Sequence, residues 1–405
     1  MRHDVFRLSR VLAAAVLAGG INLPCVANAG AIGPSSGILG SEITVFHWAA
    51  DRCDAEDIPD VSLRVLNDGS RDAEILSSNS NNRFRRLDLS TMHVRPACAS
   101  ALKSGRQADP NLYNDFSWLA ALASDGKAVH ALIHHEYHAN DHAGKCQYRI
   151  YEQCWYNTIT YARSDDGGQT FHQSVPPKVI AAPPFRQEEG QGKRRGFFNP
   201  SNIISYQGYW WTFIYTSGWN GQHFGSCLFR SPDVRDPGSW RAYNGTDFTA
   251  DFPDPYVSQV GSPVKNDAPP CLPMFDQTVG SISRTSDGHF VAAFIKREET
   301  KDAGQNSKFF VDLAWSDDLI HWSAPQQLTA ITDVATSDCS ANARYAFPAL
   351  VSIEDGAIRQ GELRGRIFLS LVRFNIQNCK LSLNRDLVFR ELTGGLVEPN
   401  FTKSK

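Results

Sequence analysis

The 405-residue chain carries 40 Lys+Arg against 43 Asp+Glu, with 42 % apolar, 20 % charged and 11 % aromatic positions. That balance excludes an intrinsically disordered tail, which needs low hydrophobicity together with a large charge imbalance. It also argues against nucleic-acid binding: a phosphate-tracking surface shows as a basic excess, and here basic residues form only short clusters such as Lys193-Arg194-Arg195.

At the start of the chain, Arg2, Arg7 and Arg10 surround or precede the apolar run Val11–Gly19, which is too short to span a bilayer. Ala27-Asn28-Ala29 then offers small residues at the positions a signal peptidase reads. Residues 1–29 are expected to be a cleaved signal peptide, so the protein is expected to be secreted or periplasmic, with no membrane anchor. Eight cysteines follow, at 53, 98, 146, 154, 227, 271, 339 and 379. An even set in an oxidising compartment reads as disulfides. Sequential pairing, Cys53–Cys98, Cys146–Cys154, Cys227–Cys271 and Cys339–Cys379, keeps each bridge within or beside one of the repeats that follow.

Short β-branched and aromatic runs broken by Gly, Asn, Asp and Pro then recur as a unit. The first unit is Asp60–Leu66, a turn at Asn67-Asp68-Gly69, and Ala73–Ser77. The second is Ser117–Ala123, Asp125-Gly126, Ala128–Ile133 and Thr158–Arg163. Ser201–Ile204, Gln207-Gly208, Tyr209–Tyr215 and Cys227–Arg230 make the third, and Thr278–Ser283, Ser286-Asp287-Gly288, Phe290–Ile295 and Phe310–Trp315 the fourth. The fifth is Phe347–Ser352, Ile367–Val372 and Lys380–Asn384. Each is a sheet that cannot bury both faces alone. Five such units predict an all-β fold: a single five-bladed β-propeller of four-stranded antiparallel blades over residues 45–394, with tails at 30–44 and 395–405.

Ser164-Asp165-Asp166-Gly167-Gly168-Gln169-Thr170-Phe171 matches the Asp-box pattern Ser-x-Asp-x-Gly-x-Thr-aromatic, and Ser316-Asp317-Asp318 to Trp322 and Ser231-Pro232-Asp233 to Trp240 are degenerate copies. Carboxylate and hydroxyl are expected to satisfy backbone N–H groups of a tight hairpin while the aromatic packs on the blade. With these boxes, the five units, Asp57-Ile58-Pro59-Asp60 and Phe197-Phe198-Asn199-Pro200-Ser201, the chain resembles five-bladed propeller glycosidases of glycoside hydrolase family 43, the arabinanase and β-xylosidase type. A weaker likeness is to six-bladed sialidases. The resemblance implies a carboxylate pair at the channel mouth: a blade-one Asp as base, a blade-two Asp that orients, and a blade-three Glu as acid. Asp60 fits the first role, whereas blade three presents Asn199 where the acid would stand.

In a propeller the starts of innermost strands and the ends of second strands open on one mouth. Strand starts offer Asp57, Asp60, Asn199, Asp276 and Tyr345. Second-strand ends offer His134-His135-Glu136-Tyr137-His138, Trp219, Arg297 and Arg373. Hydrolysis of a glycosidic bond needs one protonated and one ionised carboxyl group. Glu136, in an aromatic and His-rich setting able to raise its pKa, is expected as the acid beside Asp60, with Asp276 in reserve. Strand alternation would put His134, Glu136 and His138 on one face, with His135 and Tyr137 on the other. A metal between His134 and His138 is the weaker reading and sugar-hydroxyl contacts the stronger. No cofactor is expected, a single structural or site-bound divalent cation being the one exception allowed. Arg64, Arg297 and Arg373 could clamp a substrate carboxylate, and Trp219, flanked by glycines, is the best exposed stacking platform. The expected partner is an oligo- or polysaccharide met by a monomer. Three functions stay open: a glycoside hydrolase; a uronate-directed polysaccharide lyase using His135, Tyr137, Tyr345 and Arg297; and a non-catalytic glycan binder.

Overall fold

The computed structural model describes residues 38–66, 74–77, 81–257, 269–298, 307–336, 339–394 and 396. The expected signal peptide, the Asn67-Asp68-Gly69 turn and the 395–405 tail apart from Leu396 lie outside the described residues.

Among these residues the chain forms five antiparallel meanders. The first comprises Arg64–Leu66, Glu74–Ser77, Arg83–Asp88 and His93–Val94. Phe116–Ser124, Val129–Tyr137, Tyr156–Ser164 and Val179–Ala181 build the second. The third contains Ile204–Tyr206, Tyr209–Thr216, Gly225–Ser231 and Arg241–Tyr243. Val279–Thr285, Phe290–Glu298, Lys308–Ser316 and Gln326–Ile331 make the fourth. The fifth runs Ala343–Glu354, Arg366–Asn375 and Arg385–Thr393.

The outer strand of the fifth meander comes from the other end of the sequence. Ile38–Phe46 pairs antiparallel with Arg385–Thr393, with Ile43 opposite Phe389 and Thr44 opposite Val388. This corrects two expectations: residues 38–44 are strand rather than tail, and the segment expected at Lys380–Asn384 begins only at Arg385. The β-branched run Ile43-Thr44-Val45 carries strand preference, and Val45 and Phe46 are buried in the core.

Five apolar clusters explain why the inner strands read apolar on both faces. Leu66 and Phe84 of the first meander pack with Leu119 and Ile133 of the second. Ile159 and Leu132 of the second meet Phe197 and Trp240 of the third. Phe213 and Trp211 meet Phe290 and Ile282 of the fourth, and Trp315 and Val311 meet Leu350 and Leu369 of the fifth. Phe368, Phe389 and Phe46 close on Leu63 and Ile75 of the first. A sheet sandwiched between two neighbours cannot alternate polar and apolar residues. The circle of clusters is a β-propeller.

Specific bonds repeat the circle near its centre. Leu119 N–H donates to Asn82 Oδ1 (2.7 Å), Ile282 N–H to Asn202 Oδ1 (2.8 Å), Leu350 N–H to Ser281 Oγ (2.8 Å), and the Gln360 amide to Leu63 O (2.7 Å). Between second and third meanders a short parallel pairing sets Gly196 beside Asn157. Only glycine fits there: φ is +122° and a Cβ would lie 1.9 Å from the Asn157 carbonyl oxygen.

Arg64 is the hub of this ring. Its buried guanidinium donates to the carbonyls of Leu63 (2.9 Å), Ala120 (2.5 Å), Pro200 (2.6 Å) and Gly280 (3.0 Å), which belong to or adjoin the first four meanders. The expectation that Arg64 clamps substrate is therefore corrected: its donors are spent on backbone carbonyls.

The hairpin boxes work as anticipated from their chemistry. Gly168 N–H donates to Ser164 Oγ (2.8 Å), Thr170 N–H to Asp166 Oδ1 (2.9 Å), and Phe171 is buried. Ser316 Oγ and Asp318 accept equivalent bonds from Leu319, Ile320 and His321. All four disulfides pair sequentially, Cys53–Cys98, Cys146–Cys154, Cys227–Cys271 and Cys339–Cys379. Among the described residues no helix is long and apolar enough to cross a membrane.

Candidate functional site

Strand polarity gathers side chains at one mouth of the ring. A cavity of about 340 Å³ there is lined by Ser62 of the first meander's approach, Asn199, Arg194 and Tyr215 of the third, Asp276 and Arg297 of the fourth, and Phe347 of the fifth. Asn199 and Phe347 have left-handed backbones, φ +39° and +57°, and each precedes a proline. Such positions are strained, by about 1–3 kcal/mol each, and are held only where the surroundings over-determine them.

The second meander supplies the titrating centre. In Val129–Tyr137 the alternation places His134 and Glu136 on one face, and His138 follows on the same side. Glu136 Oε2 lies 2.8 Å from His138 Nε2, while Glu136 Oε1 accepts from Asn157 Nδ2 at 3.0 Å and lies 3.4 Å from His134 Nε2. His138 is held in place by rings: Trp155 stacks on it at 3.8 Å between centroids, and Phe116 covers it at 4.0 Å. Its Nδ1 lies 2.9 Å from the Tyr151 hydroxyl, which donates to Asp141 Oδ2 at 3.2 Å. Asp115, buried at the start of the neighbouring strand, accepts the His138 backbone N–H at 2.8 Å.

These surroundings set opposite ionisation for two carboxyl groups. Burial pushes Asp60 up to about 6, against the attraction of Arg385, and the negative charge of Glu136 adds to the rise. For Glu136 burial is also the largest single influence and acts upward, but the His138 hydrogen bond and the charges of His134, His138 and Arg194 outweigh it and hold the group at about 2. The expectation of a raised Glu136 is thus corrected: of the two carboxyl groups it is Asp60 that burial raises. Burial takes His134 down to about 4, so it is neutral near pH 7. Its Nε2 lies 3.0 Å from Asn157 Nδ2, the same amide that donates to Glu136.

Of the other anticipated residues, Asn199, Asp276 and Arg297 line the cavity. His135 does not reach it: on the opposite face of its strand, it accepts the Asp115 N–H at 3.1 Å and lies 3.2 Å from Thr158 Oγ1. Asp57 is fully buried, paired with Arg85 and accepting the Cys53 N–H. Arg373 is paired with Glu42 and Asp386, and Tyr345 donates to the same Glu42, so both fasten the N-terminal strand to the fifth meander. Trp219 is half-buried, edge-on to Phe197 and Phe185, and lines a separate cavity of about 360 Å³. Among the described residues no group of three or more His, Cys, Asp or Glu is gathered to hold a metal ion.

Sequence reasoning missed Arg194, Tyr215, Asn157 and Arg385. Arg194 lies over the Phe198 ring at 4.6 Å and acts on both His134 and Glu136. Arg194 precedes the strand Arg195–Phe198, so strand alternation could not single it out; its one signal in the sequence was its place in the basic cluster Lys193-Arg194-Arg195.

No protein-family model matches the chain, and no curated protein does. Among solved structures it is similar to an α-L-arabinanase of Cellvibrio cellulosa complexed with arabinohexaose, at 12 % identity over 81 % of this chain and 90 % of that one, TM-score 0.42. It is also similar to an exo-1,5-α-L-arabinanase from a bovine ruminal metagenomic library (11 %, 83 % and 94 %, 0.43) and to a thermostable family-43 glycoside hydrolase (12 %, 90 % and 97 %, 0.42).

Proposed function

We propose that the protein is an exported, monomeric glycoside hydrolase that cleaves an oligo- or polysaccharide at this mouth. The observation that carries the reading is the pair of carboxyl groups with ionisation pushed apart, Asp60 up to about 6 and Glu136 down to about 2. Pairs of that kind divide acid and base work between them. In this reading protonated Asp60 gives its proton to the leaving glycosidic oxygen, and ionised Glu136 attacks the anomeric carbon or activates the water that does. Asn157 and His138 orient the Glu136 carboxylate, and Arg385 holds Asp60. Export is supported by the four disulfides.

The test is release of reducing ends from a panel of neutral and acidic polysaccharides. Asp60→Asn and Glu136→Gln are each expected to lower kcat by about 10²- to 10⁴-fold on any substrate the parent cleaves. A variant that keeps most of its activity removes that residue from the mechanism. Products absorbing as unsaturated uronates would make the enzyme a lyase, and binding without turnover would make it a glycan receptor.

A further inference from the structure

Arg385, Arg373 and Arg85 are each spent on a carboxylate, Asp60, Glu42 with Asp386, and Asp57 respectively. Arg194 and Arg297 line the 340 Å³ cavity and, among the described residues, form no ion pair. Both are held in position without one. Arg194 lies over the Phe198 ring at 4.6 Å, and Arg297 Nε donates to Ser307 Oγ at 3.0 Å, a bond that leaves its two terminal nitrogens for another acceptor.

They come from successive meanders or their approaches, and Phe198, Phe309 and Phe347 share the cavity lining with them. A lining that combines apolar rings with two guanidinium groups suits a sugar that carries a carboxylate: the sugar's C–H face meets the aromatic rings, and planar guanidinium donors match carboxylate oxygens. A neutral sugar gives such donors no charged acceptor. The cavity's own acids do not fill that place, since Asp276 and Asp333 form no ion pair with either arginine among the described residues. Burial also pushes the Asp333 carboxyl up, toward its neutral form.

We infer that the cavity binds a uronic-acid unit, with its carboxylate held by Arg194 and Arg297, so the glycan taken at this mouth is acidic. The inference rests on the reading of the mouth as a glycan site, but not on turnover.

The test is titration calorimetry of the full chain with oligogalacturonides and oligoglucuronides, each beside its fully methyl-esterified form, and with a neutral arabino-oligosaccharide and a carrageenan oligosaccharide whose only charge is sulfate. Esterification keeps ring and linkage and removes the charge. At least one uronate probe is expected to bind about tenfold or more tightly than its ester, with the preference shrinking as salt rises. Arg194→Ala and Arg297→Ala, both exposed side chains, should each remove most of that preference while leaving the unfolding midpoint unchanged. Equal binding of acid and ester, tightest binding of the neutral or the sulfated probe, failure of every uronate probe to bind at millimolar concentration, or variants that keep the preference would overturn the inference. Reducing-end release with charge-independent binding would leave the hydrolase reading standing without this one. Charge-dependent binding without release of reducing ends would do the reverse.

Discussion

Asp60 can be tested without knowing the substrate, because a displaced ionisation is also a stability. Its carboxyl is moved from an ordinary 3.8 to about 6, chiefly by burial. The interval is about 2 pH units, worth about 3 kcal/mol at most, since Asp60 remains 29 % exposed and solvent screens part of the effect. The folded state holds this proton more tightly than the unfolded chain does. The stability that protonated Asp60 contributes is therefore present below about pH 4 and lost as pH rises to about 6. The side-chain amide of an Asp60→Asn variant cannot titrate. Denaturant unfolding of both proteins across pH 4 to 7 should show the variant gaining on the parent by up to about 3 kcal/mol, the Arg385 attraction for ionised Asp60 being already contained in the shifted value. Glu136→Gln, which removes a charge that raises Asp60, should move this curve to lower pH. A difference that stays flat, or slopes the other way, would refute the assignment of the proton to Asp60. In turnover the same ionisation predicts a rate that falls as pH rises through about 6.

Arg64→Met leaves four backbone carbonyls without their donor and should destabilise the fold by about 3–5 kcal/mol with KM unchanged; a raised KM at parental stability would restore a substrate role. Gly196→Ala drives a Cβ against the Asn157 carbonyl and should lower stability by about 1–3 kcal/mol or more, read from the denaturation midpoint, and parental stability would mean the second and third meanders are not tightly joined there. His138→Phe keeps the ring stack with Trp155 and Phe116 but drops the bond to Glu136. The acidic limb of the rate profile should then move up from about 2, and an unmoved limb would show that His138 does not hold Glu136 ionised.

Turn chemistry and short apolar runs made the five meanders legible in the sequence, because Gly- and Asp-bearing hairpins have local causes. The cysteine pairing was legible for a related reason, each bridge staying near one repeat. Alternation along Val129–Tyr137 correctly separated His134 and Glu136 from His135. What the sequence hid depended on neighbours far along the chain. Arg64 and Arg297 are the same residue type near strand ends, yet one meets the carbonyls of Pro200 and Gly280 and the other a cavity. Glu136 sits among aromatic residues, which suggested a raised carboxyl, but Trp155 and Phe116 grip a histidine that donates to it, and a hydrogen bond from that ring reverses the sign. The strand Ile38–Phe46 has ordinary strand residues, but nothing local names a partner some 340 positions away.

That last pairing bears on how the chain comes together during synthesis. Ile38–Phe46 is made early, and the strand it needs, Arg385–Thr393, almost last. Until then the first segment has no sheet to join, and the fifth meander, once formed, ends in an open edge that can recruit a strand from another molecule. Closing a loop of this length costs only slightly more entropy than closing one half as long, so the delay weighs on rate more than on final stability. Concentration during refolding is thus the variable to which this protein should be most sensitive: dilute chains close on themselves, and crowded ones exchange their first strands.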